Sequence, residues 1–327
     1  MNAEILRVVF MGTPDFAVES LKRIIEAGIN IVGVITAPDK PAGRGNKMHS
    51  SPVKIFAREA GIKNILQPAN LKSPDFINEL EALKADLQVV VAFRMLPEVV
   101  WSMPPLGTVN LHASLLPDYR GAAPINWAII NGEKKTGVTT FFIEKEIDTG
   151  KIIFSEKTDI GPDTTAGELH DTLMNLGADL LVKTINAIAG KEFPTMSQSS
   201  INHGHELKPA PKIFKEDCKI KWTQDAKIIH NFIRGLSPYP AAWTEISHEE
   251  NIIPVKIFKA TYSIEIHNTP IGHILSDDRK SLRVAVHDGY IHLLELQQAG
   301  KKRLKTEEFL RGFQGSSTFS ISLSGEY

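Results

Sequence analysis

The 327 residues, 42% hydrophobic and 23% charged, describe an ordinary soluble globular protein with enough length for two cores. A net charge of −1 and a single cysteine, Cys218, argue against a uniformly basic nucleic-acid binder and exclude an internal disulfide or a Cys-rich zinc site. No apolar run approaches about 18 residues, and Met1–Arg7 shows no charged-then-apolar leader, so a cytoplasmic protein is the expectation.

Charge is divided slightly. Residues 210–327 hold 16 Lys and Arg against 14 Asp and Glu, and the remainder holds 21 against 24. That asymmetry permits a local basic face on the second half without establishing one.

From the start, strand-like and helix-like segments alternate: a strand over 6–11, a helix over 16–27, a strand over 31–36, a helix over 52–60, a short strand near Ile65, a helix over 75–84 and a strand over 87–93. Runs such as Val89-Val-Val-Ala92, apolar at every position, suit parallel strands buried on both faces. The predicted architecture is α/β, a doubly wound and mostly parallel sheet whose ligands bind beyond the carboxyl ends of its strands. Gly12 follows the first strand, but Thr13-Pro14-Asp15 replaces the Gly-rich repeat that a pyrophosphate needs, so NAD is not expected. Thr13 or Asp15 capping the next helix, or a place in a substrate cleft, both remain open for this turn.

Residues 37–51 form a long loop carrying Lys40, Arg44, Lys47 and His49 against Asp39, with Gly43 and Gly45 as hinges. Such a loop is either a solvated surface feature or one that closes on a phosphate backbone.

The polar pattern becomes specific at Thr108-Val-Asn-Leu-His-Ala-Ser114. Strand alternation puts Val109, Leu111 and Ala113 on one face and Asn110, His112 and Ser114 on the other. Leaving Asn and His unpaired in a central strand costs on the order of 1–3 kcal/mol each, so they are either satisfied by neighbouring backbone or part of a site. Beyond lie a helix over 123–131, a strand over 137–143, Asp148-Thr-Gly150, a strand over 151–155 and a long helix over 165–189. On its own, Asp-Thr-Gly between strands is a turn.

Together, His112-Ala-Ser-Leu-Leu-Pro117, Arg120-Gly121, Asn110 and Asp148-Thr-Gly150 resemble the signature of the 10-formyltetrahydrofolate-dependent formyltransferases. Phe10–Phe16 and Ala37–Gly45 resemble, within that superfamily, the branch acting on methionyl-tRNA. The resemblance implies Asn110, His112 and Asp148 as catalytic residues. It also implies a folate pocket at Phe93, Arg94, Met95, Ser114, Leu115, Leu116 and Pro117, and tRNA contacts from Lys40, Arg44 and Lys47. The implied reaction moves a formyl group from 10-formyltetrahydrofolate to the α-amino group of methionyl initiator tRNA, releasing tetrahydrofolate. No metal, membrane or obligate protein partner is implied. One departure stands out: Ala92-Phe-Arg-Met-Leu-Pro97 is closer to the glycinamide ribonucleotide branch, where a Tyr-Gly-containing, slightly longer segment is common in the tRNA branch.

The polar, broken stretch 191–209 reads as a linker between a catalytic domain over 1–190 and a second domain over 210–327. His203, His205 and Glu206 within it make a weak metal motif. In the second domain, a helix over 225–234 precedes strands over 255–260, 272–275, 282–286 and 291–297, which suggests a small antiparallel barrel. The resemblance specifies an OB-like, tRNA-binding barrel. Trp222, Phe232, Tyr239 and Trp243 read as core rather than base-stacking surface.

Two alternatives share these residues. One is a related formyltransferase acting on a nucleotide-sugar or ribonucleotide amine; the other is a non-catalytic folate- or RNA-binding protein on the same scaffold.

Overall fold

A computed structural model describes residues 5–42, 47–201, 204–248, 251–312 and 320–321. The chain divides into two compact units: residues 1–121, 135–158 and 170–209 make the first, and residues 122–134, 159–169 and 210–327 the second.

The first unit holds a seven-stranded sheet in the order Ile152–Asp159, Lys135–Phe142, Thr108–His112, Leu87–Val91, Val8–Gly12, Ile31–Ile35, Ile65–Leu66. The neighbours from Thr108–His112 to Ile65–Leu66 pair in parallel. Val8–Gly12 and Leu87–Val91 are buried at every position, which is why they read as almost wholly apolar runs, Gln88 being the exception. Against them packs the amphipathic helix Asp15–Glu26, burying Phe16, Ala17, Leu21 and Ile24. No side chain caps this helix, so neither Thr13 nor Asp15 has the capping role considered for it. The turn needs Gly12 for space instead: a Cβ there would lie 2.6 Å from the Ala17 Cβ and 2.8 Å from the Phe10 ring.

Thr108–His112 is the strand that matters most. It pairs in parallel with Leu87–Val91, setting Asn110 beside Val90, and antiparallel with Lys135–Phe142, setting His112 beside Thr139 and Val109 beside Phe142. The antiparallel partner therefore leaves the sheet next to Val109, and the 144–150 loop must run back along the strand to reach His112.

The basic segment after Ile31–Ile35 is a hairpin rather than a structureless loop, with Lys40–Ala42 paired antiparallel to Lys47–His49. Arg44 lies outside the described residues.

In the second unit, strands run in the order Ile274–Ser276, Leu282–Val286, Gly289–Gln298, Asn251–Ile264, Ala242–His248, Ser320–Ile321. His273 bridges Ser320 and Ile321 N donates to Gly272 O, so the two ends of the sheet meet and the barrel protects its edges. Trp222, Ile229, Ile233, Ile257, Val284 and Ile291 build its core with the helix Ala226–Gly235. The strand Ala242–His248, not expected from the sequence, alternates too many polar residues to have been marked by composition. Of the four aromatics expected in the core, Trp222 is fully buried and Phe232 and Trp243 pack partly against it. Tyr239 is the exception at 82% exposure, projecting outward from a turn between two prolines. Cys218 is packed, and burial pushes its thiol up, as suits an inert core residue.

Candidate active site

His112 ends its strand almost buried, and its environment fixes which nitrogen does what. Nε2 lies 2.8 Å from the Tyr119 carbonyl oxygen. A carbonyl only accepts, so Nε2 carries a proton and donates it there. Nδ1 is then the nitrogen left for chemistry, and it stands 3.8 Å from Asp148 Oδ2. With Nδ1 bare, a lone pair would face the carboxylate; with Nδ1 protonated, the two attract. Asn110, two residues earlier on the same face of the pleat, is half-buried beside it.

Backbone geometry around this pair is constrained. Tyr119 and Asp148 adopt left-handed conformations at φ 61° and 55°, and Ala92, at the end of the neighbouring strand, does so at φ 46°. Non-glycine residues in that region cost on the order of 1–3 kcal/mol where the fit is poor and collect at functional sites, Asp being among the more tolerant types. The Gly121 amide donates to Asp148 Oδ2 at 3.0 Å, aiming the carboxylate. Gly150 completes the turn because a Cβ there would lie 1.7 Å from the Phe142 carbonyl oxygen.

The remaining sequence-predicted residues fall into distinct places. Ser114 is fully buried, its hydroxyl donating to Asp118 O at 2.7 Å, while Thr139 Oγ1 donates to Ser114 O and accepts from Leu116 N. Leu116 is buried in a small cluster with Phe141 and Ile152, Pro117 is buried too, and Leu115 is half-buried towards Gly137. These side chains shape the turn from behind. In the segment after the neighbouring strand Leu87–Val91, Phe93 packs on the core, whereas Met95 is 73% exposed. The Arg94 guanidinium donates to the carbonyls of Pro68 and Ala69, and burial pulls it down from its ordinary value. A hollow of about 660 Å³ lies between Ala69–Lys72 and Arg94–Val99.

Lys40 is exposed on the hairpin, and only the backbone of Lys47 is described. The hairpin's base is tied down: Thr36 Oγ1 meets Ser51 Oγ at 2.6 Å, and the buried Lys54 holds Asp39 at 2.5 Å. Lys54 and the Gln67 amide push the Asp39 carboxyl down to about 2.

Sequence reasoning missed Gln198. It sits in the stretch expected to be a linker, and that stretch bonds to the first unit through the Ile152–Met196 bridge and the Lys208 amide on Asp118. The Gln198 side chain is 3% exposed; its amide nitrogen donates to Asp148 O and Gly150 O, each at 2.8 Å, and its oxygen accepts from Arg120. Nothing in Met-Ser-Gln-Ser-Ser marks a buried glutamine. Among the described residues, no group of three or more His, Cys, Asp or Glu is arranged to hold a metal, and no helix is long and apolar enough to cross a membrane. His203 of the weak metal motif lies outside the described residues, and His205 pairs with Asp118.

An Asn, a His and an Asp, on a strand and a folded-back loop, are groups of the kind that acyl transfer between two bound substrates can use. Family models agree with that class: formyl transferase matches residues 6–185, and formyl transferase, C-terminal domain, matches residues 212–314. The chain belongs to the formyl transferase family, in its methionyl-tRNA formyltransferase branch. The methionyl-tRNA formyltransferase of Bacteroides thetaiotaomicron is 53% identical over 323 residues, covering 98% of this chain and 100% of the relative. That of Phocaeicola vulgatus is 55% identical over 324 residues, with the same coverage of each. Among solved structures, a sugar 3N-formyl transferase determined in the presence of dTDP and 5-N-formyl-THF aligns with a TM-score of 0.62 at 22% identity, over 91% of this chain and 99% of that one. That likeness concerns the fold alone.

Proposed function

We propose that this chain transfers the formyl group of 10-formyltetrahydrofolate to the α-amino group of methionine carried by initiator tRNA, using Asn110, His112 and Asp148. The observation that carries the chemistry is the His112 geometry: Nε2 spent on Tyr119 O and Nδ1 facing Asp148. Relatives at 53% and 55% identity over nearly the whole chain support the substrate.

Attack of the amine on the formyl carbon creates a tetrahedral oxyanion. The Asn110 amide and the His112 Nδ1–H are the donors for that oxygen, and such a donor is worth about 10²–10³-fold in kcat. An α-amino group titrates at about 7.7–8.0, so a neutral fraction exists near pH 7 without a strong base. The proton it gains on bonding must leave. Asp148 steadies the imidazolium and relays that proton, directly or through water, toward the departing folate nitrogen. In this reading the donor's heterocycle takes its contacts from the backbone of Phe93, Arg94 and Met95 and from the turn of Ser114, Leu115, Leu116 and Pro117. The hairpin cations Lys40, Arg44 and Lys47, with the barrel of the second unit, belong to the tRNA side of the reaction. A cytoplasmic location, where charged tRNA is made, goes with the same reading.

The test is a comparison of acceptors: purified chain with 10-formyltetrahydrofolate and either methionyl initiator tRNA, methionyl elongator tRNA or an amino-sugar nucleotide. Formylation of the initiator tRNA far above the others is expected. Preference for the amino sugar would overturn the tRNA assignment, and no transfer to any amine would leave a binding protein.

A further inference from the structure

Asp148 is held through its backbone as well as its carboxylate. The loop that carries it leaves the sheet beside Val109 and has to fold back along the strand, ending in a left-handed residue that nothing in the ladder stabilises. One buried side chain spans that turn. Gln198 Nε2 donates to the carbonyls of Asp148 and Gly150, using both of its hydrogens, and Oε1 accepts from Arg120 Nε at 3.1 Å and Nη2 at 2.6 Å, using both lone-pair directions.

Arg120 lies between two residues that already touch the site. Tyr119 O receives the His112 Nε2 proton, and Gly121 N donates to the Asp148 carboxylate. A single amide therefore joins the segment that orients His112 to the turn that presents Asp148. Its own backbone, in the short 3₁₀ turn Gln198–Ser200, belongs to neither.

We propose that Gln198 is a positioning residue for formyl transfer, clamping the Asp148-Thr-Gly150 turn to Arg120 so that the carboxylate stays opposite His112 Nδ1. This deepens the reading of Asn110, His112 and Asp148 as the transfer site and rests on it. The role requires donation as well as acceptance. Gln198→Glu keeps the size and the Arg120 contact but turns a carboxylate oxygen toward two carbonyl oxygens, whereas Gln198→Ala removes every contact.

The experiment measures kcat, both KM values and Tm on the full chain for wild type, Gln198→Ala, Gln198→Glu, Asp148→Ala and the double variant Asp148→Ala/Gln198→Ala. Each Gln198 variant should lose about 10–100-fold in kcat at saturating substrates, the scale of an ångström-level misplacement, with KM for folate and tRNA within about threefold. In the Asp148→Ala background, removing Gln198 should cost under about threefold more, because the group it positions is gone. A glutamine that only holds the fold together would lower Tm and leave kcat of the folded fraction unchanged; that result overturns the proposal. So does a wild-type rate for Gln198→Glu, which would reduce the residue to a partner for Arg120, or a full independent loss in the double variant. If Asp148→Ala itself keeps the wild-type rate, the reading of the site fails first and the Gln198 role falls with it.

Discussion

Two segments of the first unit hold the residues proposed for catalysis and for tRNA contact, and they are built in opposite ways. Around His112 and Asp148 four backbone atoms are tied by side chains: Tyr119 O by His112, Gly121 N by Asp148, and Asp148 O and Gly150 O by Gln198. The Lys40–His49 hairpin is tied at its root, by Thr36 with Ser51 and Asp39 with Lys54, and Lys40 stands exposed. The first arrangement holds the pair through several hydrogen bonds, as charge stabilisation in a transition state needs. The second roots a hairpin on which Lys40 stands exposed, which suffices for phosphate contacts that depend on salt more than on geometry. Catalysis and partner capture should therefore fail differently.

The largest effect is expected from the rigid segment. Asn110→Ala, His112→Ala and Asp148→Ala should each lower kcat by about 10²–10³-fold while circular dichroism stays native, because they act on the transition state and not on packing. Near-full kcat with a lowered Tm for His112→Ala would make it a packed histidine and erase the contrast. Gly150→Ala should come next. A Cβ 1.7 Å from the Phe142 oxygen forces the turn to move, so stability should fall by about 1–3 kcal/mol and kcat with it, read from paired thermal melts and rates. If both stay at wild-type values, the turn is looser than drawn here.

For the hairpin the changes are smaller and lie in binding. Arg44→Ala or Lys40→Ala should raise KM for charged tRNA several-fold and flatten the slope of log affinity against log salt by about one, leaving folate binding unchanged. Unaltered slopes would remove the hairpin from the tRNA side. The smallest effect appears only in acid. Lys54 and Gln67 hold Asp39 down to about 2, below its ordinary carboxylate value, so this tie is fully present above about pH 4 and is lost as pH falls toward 2. Hydrogen exchange of residues 37–42, corrected for intrinsic rates, should be flat from pH 8 to 5 and rise only below about 4. A rise near pH 6 would point to a different anchor.

How much of this was readable beforehand follows the same division. The parallel strands announced themselves because Val89-Val-Val is buried on both faces, and Asn110 and His112 were placed by strand alternation alone. Asp148 was legible only through a family resemblance, since an Asp-Thr-Gly is locally indistinguishable from any turn. The tautomer of His112 was invisible because it depends on Tyr119 O, seven residues away and bent into a left-handed conformation. Gln198 was invisible for the same reason: its burial is created entirely by partners 48 to 78 residues distant in sequence, and its own neighbours are serines. Tyr239 went the other way, an aromatic expected inside that a proline-flanked turn holds outside. Local pattern finds what repeats along the chain; it does not find single contacts made across it.

The most direct test of the central claim is single-turnover transfer of labelled formyl from 10-formyltetrahydrofolate to methionyl initiator tRNA, with both substrates saturating, by wild type and Asp148→Asn. Asparagine keeps the shape and can still accept from Gly121 N, but it cannot hold the imidazolium of His112. Rapid formylation by the wild type and a loss of about 10²-fold or more in the variant are predicted. Equal rates would show that the pair of His112 and Asp148 is not where the transfer takes place.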